Sequence, residues 1–192
     1  MYNEPKLYDV LSASYGNLNS QNTLDKFGYK QDADLSNHNE QVYFNKDQNK
    51  LLYSITGTHN LQDIGTDAYL AVGKIKDTKR YQEADETLQH AKTKYGVSNA
   101  TVVGASLGGT IGGYISSSND RVLTHNKGAT IGQPVRSNEI HFRNSGDIVS
   151  IMNANSTNTK NLKNNNKITG HLLYDAYKSH SIENLKHQPI FV

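Results

Sequence analysis

Apolar side chains recur along this chain in two rhythms, one near every third or fourth residue and one near every second. Residues 7–15, running from Leu7 to Tyr15, carry them at helix-like intervals. From Gly16 onward the chain is polar, and residues 28–39 read as irregular. Residues 41–45 and 50–56 are strand-like runs separated by the turn-forming residues 46–49, a hairpin pattern. Residues 57–60 break the second strand. A short helix is expected over residues 66–72 and a longer one over 78–95, with Tyr81, Ala84, Leu88, Ala91 and Tyr95 along one face and Gly96 as its stop. A β-branched strand over 100–103 is followed by a helix over about 107–117, where Gly112 and Gly113 are expected to let the helix approach the sheet closely. Strands are expected over 124–131, punctuated by Gly132 and Pro134, and over 139–143, stopped by residues 144–147. Residues 153–167 are almost wholly Asn, Ser, Thr and Lys and read as a loop or insertion. Residues 171–177 fit either a helix or a strand. Alternating strands and helices predict the α/β class, with a mostly parallel central sheet flanked by helices.

Composition narrows this without overturning it. A length of 192 residues suits a single domain over 1–192 with a buried core. A hydrophobic fraction of 35% makes that core lean. No run is apolar enough to span a bilayer, so no transmembrane segment is expected. The first residues lack a basic stretch followed by an apolar one, so no signal peptide is read. With 0 cysteines the chain has neither disulfides nor a thiolate metal site, which favours a reducing, intracellular setting. A net charge of +2, with scattered Lys and Arg, argues against a nucleic-acid partner.

The chemistry concentrates at Gly104-Ala105-Ser106-Leu107-Gly108, a G-x-S-x-G pentapeptide between a strand and a helix. That context is the one a nucleophile elbow requires. Side chains two before or two after the serine would clash in so tight a turn, hence the two glycines. Ser106 is the candidate nucleophile, and the Leu107 N–H is a candidate donor to an oxyanion. A serine needs a base that is itself oriented by an acid, and in elbow hydrolases the order is Ser, acid, His. Asp147 fits best as the acid, since it follows a strand through a small-residue turn; an ordinary turn aspartate fits the same position. Asp175 is the fallback. Asp120 directly follows the elbow helix and would not reach back over the sheet. His171, His180 and His187 are available as the base. His180, between Ser179 and Ser181, suits an exposed loop and leads; His171 is second, and His187 reads as a surface residue. Thr58, after the end of the 50–56 strand, offers an N–H and a hydroxyl as the second oxyanion donor, although Gly57-Thr58 also fits an ordinary turn.

Four patches in order resemble the class 3 lipase family of α/β-hydrolases. Ile55-Thr56-Gly57-Thr58, with Asp63, Thr66 and Asp67 downstream, resembles the family's F-R-G-T strand end and trailing acidic residues. Residues 103–109 resemble its G-H-S-L-G-G elbow, and residues 130–136 its T-F-G-x-P-R segment. Residues 144–149 resemble its catalytic-aspartate motif, and His180 falls where the family keeps its histidine. The resemblance spans about residues 40–185. It implies Ser106 as nucleophile, His180 as general base and acid, Asp147 as orienting acid, and Thr58 with Leu107 as oxyanion hole. It further implies carboxylic-ester hydrolysis through an acyl-enzyme, no cofactor and no metal, and a lipid or small-ester partner met in solution or at a membrane or lipid surface.

This sequence departs from the family at three positions. Ala105 replaces a histidine before the nucleophile, and Ser150 replaces a proline after the aspartate. Thr56 stands where the family has an arginine that braces the oxyanion strand. No apolar lid is evident and there are 4 Phe and no Trp, so phospholipase A1-like or small-ester activity is as well matched as triglyceride lipolysis. The opposing reading is a hydrolase fold retained as a binding or structural module with a degraded site. A thioesterase or peptidase would use the same machinery.

Overall fold

A computed structural model describes residues 4–58, 75–128, 136–147, 149–151, 158–163, 169 and 172–192. Its centre is a seven-stranded sheet in which spatial order follows chain order, β1-β2-β3-β4-β5-β6-β7. The strands are β1 (Tyr29–Gln31), β2 (Glu40–Asn45), β3 (Lys50–Ile55), β4 (Thr101–Ala105), β5 (Arg121–His125), β6 (Glu139–Asn144) and β7 (Thr159–Leu162). Pairing is antiparallel between β1, β2 and β3 and parallel from β3 through β7. The helices are α1 (Leu7–Ser14), α2 (Leu18–Lys26), α3 (Lys79–Tyr95), α4 (Leu107–Ile115) and α5 (Leu172–His180).

Successive residues of a strand point to opposite faces, and both faces of the central strands are covered. Leu52, Val103 and Leu123 pack with Leu7, Val10, Leu11 and Leu24 under α1 and α2. Tyr53, Val102 and Val122 face the other way and pack with Ala84, Leu88, Ala91 and Ile111 under α3 and α4. Two thin apolar layers thus replace one thick core, which is how a lean composition still seals the sheet. Local signals set the helix ends. Thr78 caps α3 by accepting from Tyr81 N, and Gly96 ends it at φ 63°.

Several sequence expectations require correction. The polar stretch after Gly16 holds α2, capped by Asn17, whose side chain accepts from Ser20 N. Only Ser20 and Leu24 of that helix are buried, so it lacks an apolar stripe. Residues 29–31, expected to be irregular, form β1, an edge strand held by backbone pairing to β2. The strand expected over 124–131 begins at Arg121 and ends at His125. Backbone hydrogen bonding from Arg121 N to Ala100 O starts it, and Asn126 turns out of it at φ 46°.

Within the expected loop 153–167, residues 159–162 form β7, where Lys160 and Asn161 are exposed and Leu162 packs against the core. His180 closes helix α5 rather than lying in an exposed loop. The expected helix over 66–72 lies outside the described residues, as do His171, Asp63, Asp67 and residues 130–135. Among the described residues, no helix is long and apolar enough to cross a membrane.

Candidate active site

Ser106 sits in the turn between β4 and α4 with φ 51° and ψ −123°. A non-glycine residue rarely adopts such angles, and holding it there costs on the order of 1–3 kcal/mol. The surrounding packing enforces it. A methyl group on Gly104 would lie 2.5 Å from the Gly108 carbonyl oxygen, and one on Gly108 would overlap the carbonyl oxygens of Ile55 and Thr56. Gly112 likewise lets α4 settle on Val102, where an added methyl would sit 3.1 Å from Cγ1. The helix begins at Leu107, so the Leu107 N–H belongs to the first turn, whose amides lack intrahelical partners.

The ends of β4, β5 and β6 bring the other groups to the same edge of the sheet. Ser106 N donates to His125 O at the end of β5 (2.9 Å). Asn126, one residue on, donates through Nδ2 to the carbonyls of Ser179 and His180, both at 3.1 Å, and so pins the end of α5. Asn144, at the end of β6, donates to Ser179 O (2.8 Å) and contacts His125 Nε2. Asp147 follows β6 by three residues. Its Oδ1 lies 2.8 Å from His180 Nδ1, with the aspartate side chain fully buried and the imidazole 10% exposed. His180 Nε2 is buried and has no hydrogen-bond partner among the described residues.

Electrostatics keep Asp147 ionised. Burial by itself would raise its pKa, but hydrogen bonds from His180 and from the Ser150 hydroxyl and N–H, together with the His180 charge, hold it below the ordinary carboxylate value. Ser150, which occupies the family's proline position, therefore gives this carboxylate two donors. An ionised Asp147 requires His180 Nδ1 to be the donor, so that in the neutral ring Nε2 is the acceptor. Arg143 braces the loop from below, donating to Asp147 O at 2.9 Å and Ser150 O at 3.1 Å.

The loop after β3 completes the site. A methyl group on Gly57 would lie 3.0 Å from Ser106 Cβ and from Ala105 O, so this loop abuts the elbow. Thr58 follows, partly exposed. Gly57 N donates to the Tyr15 hydroxyl (2.7 Å), and Thr56 N to Asn39 O (2.8 Å). Arg80 of α3 donates to Thr56 O, Thr56 Oγ1 and Gly57 O.

The other acids have different employment. Asp120 binds Lys92, Ala100 N and Ser117 at the opposite edge of the sheet. Asp175 accepts from Thr169. His187 is exposed, as expected. The sequence gives no site role to Asn126, Arg80 or Tyr15, whose partners lie far along the chain, nor to Arg143, which braces the loop directly after its own strand, nor to Asn144 at the start of the 144–149 segment.

The mostly parallel sheet with flanking helices is similar in fold to solved structures. One is the Lip2 lipase of Yarrowia lipolytica, matched over 75% of this chain and 72% of that one at 14% identity, with a TM-score of 0.45. Another is the Rhizomucor miehei lipase–propeptide complex, 17% identical over 75% of this chain, with a TM-score of 0.50. The fold is α/β-hydrolase-like. The chain spans 60% of the Rhizomucor lipase's length. No protein-family model matches its sequence, and a comparison with curated proteins returned no match.

Proposed function

We propose that the protein is a serine carboxylic-ester hydrolase, of lipase, phospholipase A1-like or esterase type, working through Ser106, His180 and Asp147. The observation that carries this reading is the backbone of Ser106, a non-glycine residue held at φ 51° between β4 and α4. Strain of that kind persists only where surrounding structure imposes it. The Asp147–His180 hydrogen bond, at the same edge of the sheet, supports it further.

In this scheme Ser106 Oγ attacks the ester carbonyl carbon while His180 Nε2 takes the hydroxyl proton. The carbonyl oxygen becomes an oxyanion, stabilised by the Leu107 N–H and by Thr58 through its N–H and hydroxyl. Collapse expels the alcohol, which receives the proton back from His180 and leaves an acyl-Ser106 ester. Water, deprotonated by His180, then attacks this ester, and the acid departs as Ser106 recovers its proton. Asp147 holds the imidazole in the required tautomer and stabilises its cation. A lipid or small ester is the substrate class, in solution or at a lipid surface.

A fluorophosphonate probe tests the reading directly, alongside Ser106→Ala. The wild type should be labelled and the variant not. A wild type that stays unlabelled under conditions where a control esterase reacts would leave the fold as a binding module. Nitrophenyl esters of rising chain length then separate the labels: preference for acetyl over long acyl chains selects esterase over lipase.

A further inference from the structure

We infer that Arg80 is a positioning residue for the oxyanion loop, orienting the Gly57–Thr58 peptide so that the Thr58 N–H faces Ser106. The inference rests on the ester-hydrolase reading and assigns to that site a residue from outside its motifs. Arg80 lies at the second position of α3, and its Nη2 reaches three acceptors of one short loop. These are Thr56 O, Thr56 Oγ1 at 3.2 Å and Gly57 O at 3.3 Å.

A trans peptide is planar, with its C=O and N–H on opposite edges. Holding Gly57 O toward Arg80 therefore turns the Thr58 N–H away from Arg80. The neighbouring bonds fix the rest of the loop. Thr56 is tied to Asn39 O through both its N–H and its hydroxyl (2.8 and 2.9 Å), and the Gly57 N–H is tied to Tyr15. Gly57 itself abuts Ser106, since an added methyl would lie 3.0 Å from Ser106 Cβ.

Arg80 thus acts on the one peptide plane whose orientation decides whether the developing charge meets a donor or a carbonyl oxygen. A flipped Gly57–Thr58 peptide would present oxygen to oxyanion, converting stabilisation into repulsion. A guanidinium suits the task because it is always charged and presents its donors in a rigid plane. Where the resembled family has an arginine at the strand end, this chain has Thr56, and the guanidinium that reaches this loop comes from α3.

The test compares Arg80→Met and Arg80→Lys with wild type for kcat, KM and fluorophosphonate labelling rate, with Lys92→Met as a control. Lys92 lies on the same helix and its loss removes a buried ion pair to Asp120, but among the described residues its ammonium has no hydrogen bond or ion pair at the Ser106 edge. Arg80→Met should lower kcat and labelling rate about tenfold or more with KM little changed, because one oxyanion donor is disordered rather than removed. Arg80→Lys should fall between Arg80→Met and wild type, and Lys92→Met should lose stability while keeping kcat.

A labelled wild type whose Arg80→Met variant keeps its labelling rate overturns the assignment alone. So does a matching loss of kcat in Arg80→Met and Lys92→Met, which would make the role one of helix stability. If Arg80→Met fails to fold, an unchanged kcat in Arg80→Lys overturns the assignment. An unlabelled wild type overturns the hydrolase reading and the oxyanion role with it.

Discussion

Asp147 and His180 are 33 residues apart in sequence, yet Asp147 Oδ1 and His180 Nδ1 meet at 2.8 Å. The pair joins the loop after β6 to the last residue of α5, and Asn126 at the end of β5 holds that helix end in place. Replacing the carboxylate with an amide leaves the shape but removes the charge and confuses the tautomer of the imidazole. Asp147→Asn should therefore lower kcat on a nitrophenyl ester by roughly 10³–10⁴-fold with the fold retained. Steady-state kinetics with a circular-dichroism check of folding measures this. A loss below tenfold would move the orienting role to another acid.

Asp120 offers the contrasting case. It is buried, and it binds Lys92, Ala100 N and Ser117 at the edge of the sheet away from Ser106. Removing it leaves a buried lysine uncompensated, so Asp120→Ala should destabilise by about 3–5 kcal/mol. Below its lowered melting temperature, the variant should still take a fluorophosphonate on Ser106 at the wild-type rate. Denaturant unfolding and labelling, run side by side, separate the structural aspartate from the one beside His180.

Ser106 carries strain that a glycine would not. With φ 51° and ψ −123°, Ser106→Gly should stabilise the fold by on the order of 1 kcal/mol while abolishing activity. A rise in the denaturant midpoint at unchanged slope is the expected result. A lower midpoint would show that the serine side chain contributes more to packing than its backbone costs.

Acid should weaken the fold in two stages. Burial pushes the pKa of His125 and His141 from the ordinary 6.5 to about 3. Between those values the unfolded chain binds protons that the folded chain refuses. Stability from these two groups is thus complete above pH 6.5 and lost as pH falls toward 3. Asp147 adds a later stage with the same sign: its folded pKa is held below 3.8, so its contribution is present above that value and lost as pH falls below it. Urea midpoints between pH 7.5 and 3.5 should decline from near pH 6.5 downward, and His125→Gln should flatten part of that slope. A constant midpoint down to pH 4 would contradict the burial of both rings as neutral groups.

The sequence by itself determined the elbow and the ends of the elements beside it. Gly104 and Ser106 meet a steric demand within the turn itself, and the Thr78 cap and the Gly96 stop of α3 are local too, whereas Gly108 also makes room for the Ile55 and Thr56 carbonyls of β3 and the loop after it. The β2–β3 hairpin was legible for the same reason, because its turn residues lie between its strands. Tertiary structure decided what those local rules do not reach. The mostly polar segments 29–31 and 159–162 become strands because the flanking strands supply backbone partners, and each also seats one side chain, Tyr29 or Leu162, against the core. His180 could be weighed against His171 and His187 in the sequence, but its contact with Asp147 depends on where α5 docks. Arg80 and Asn126 carry no motif, since each acts on a segment that only folding brings within reach. Sterics and periodicity act between neighbours in the chain, whereas a charge finds its partner through space.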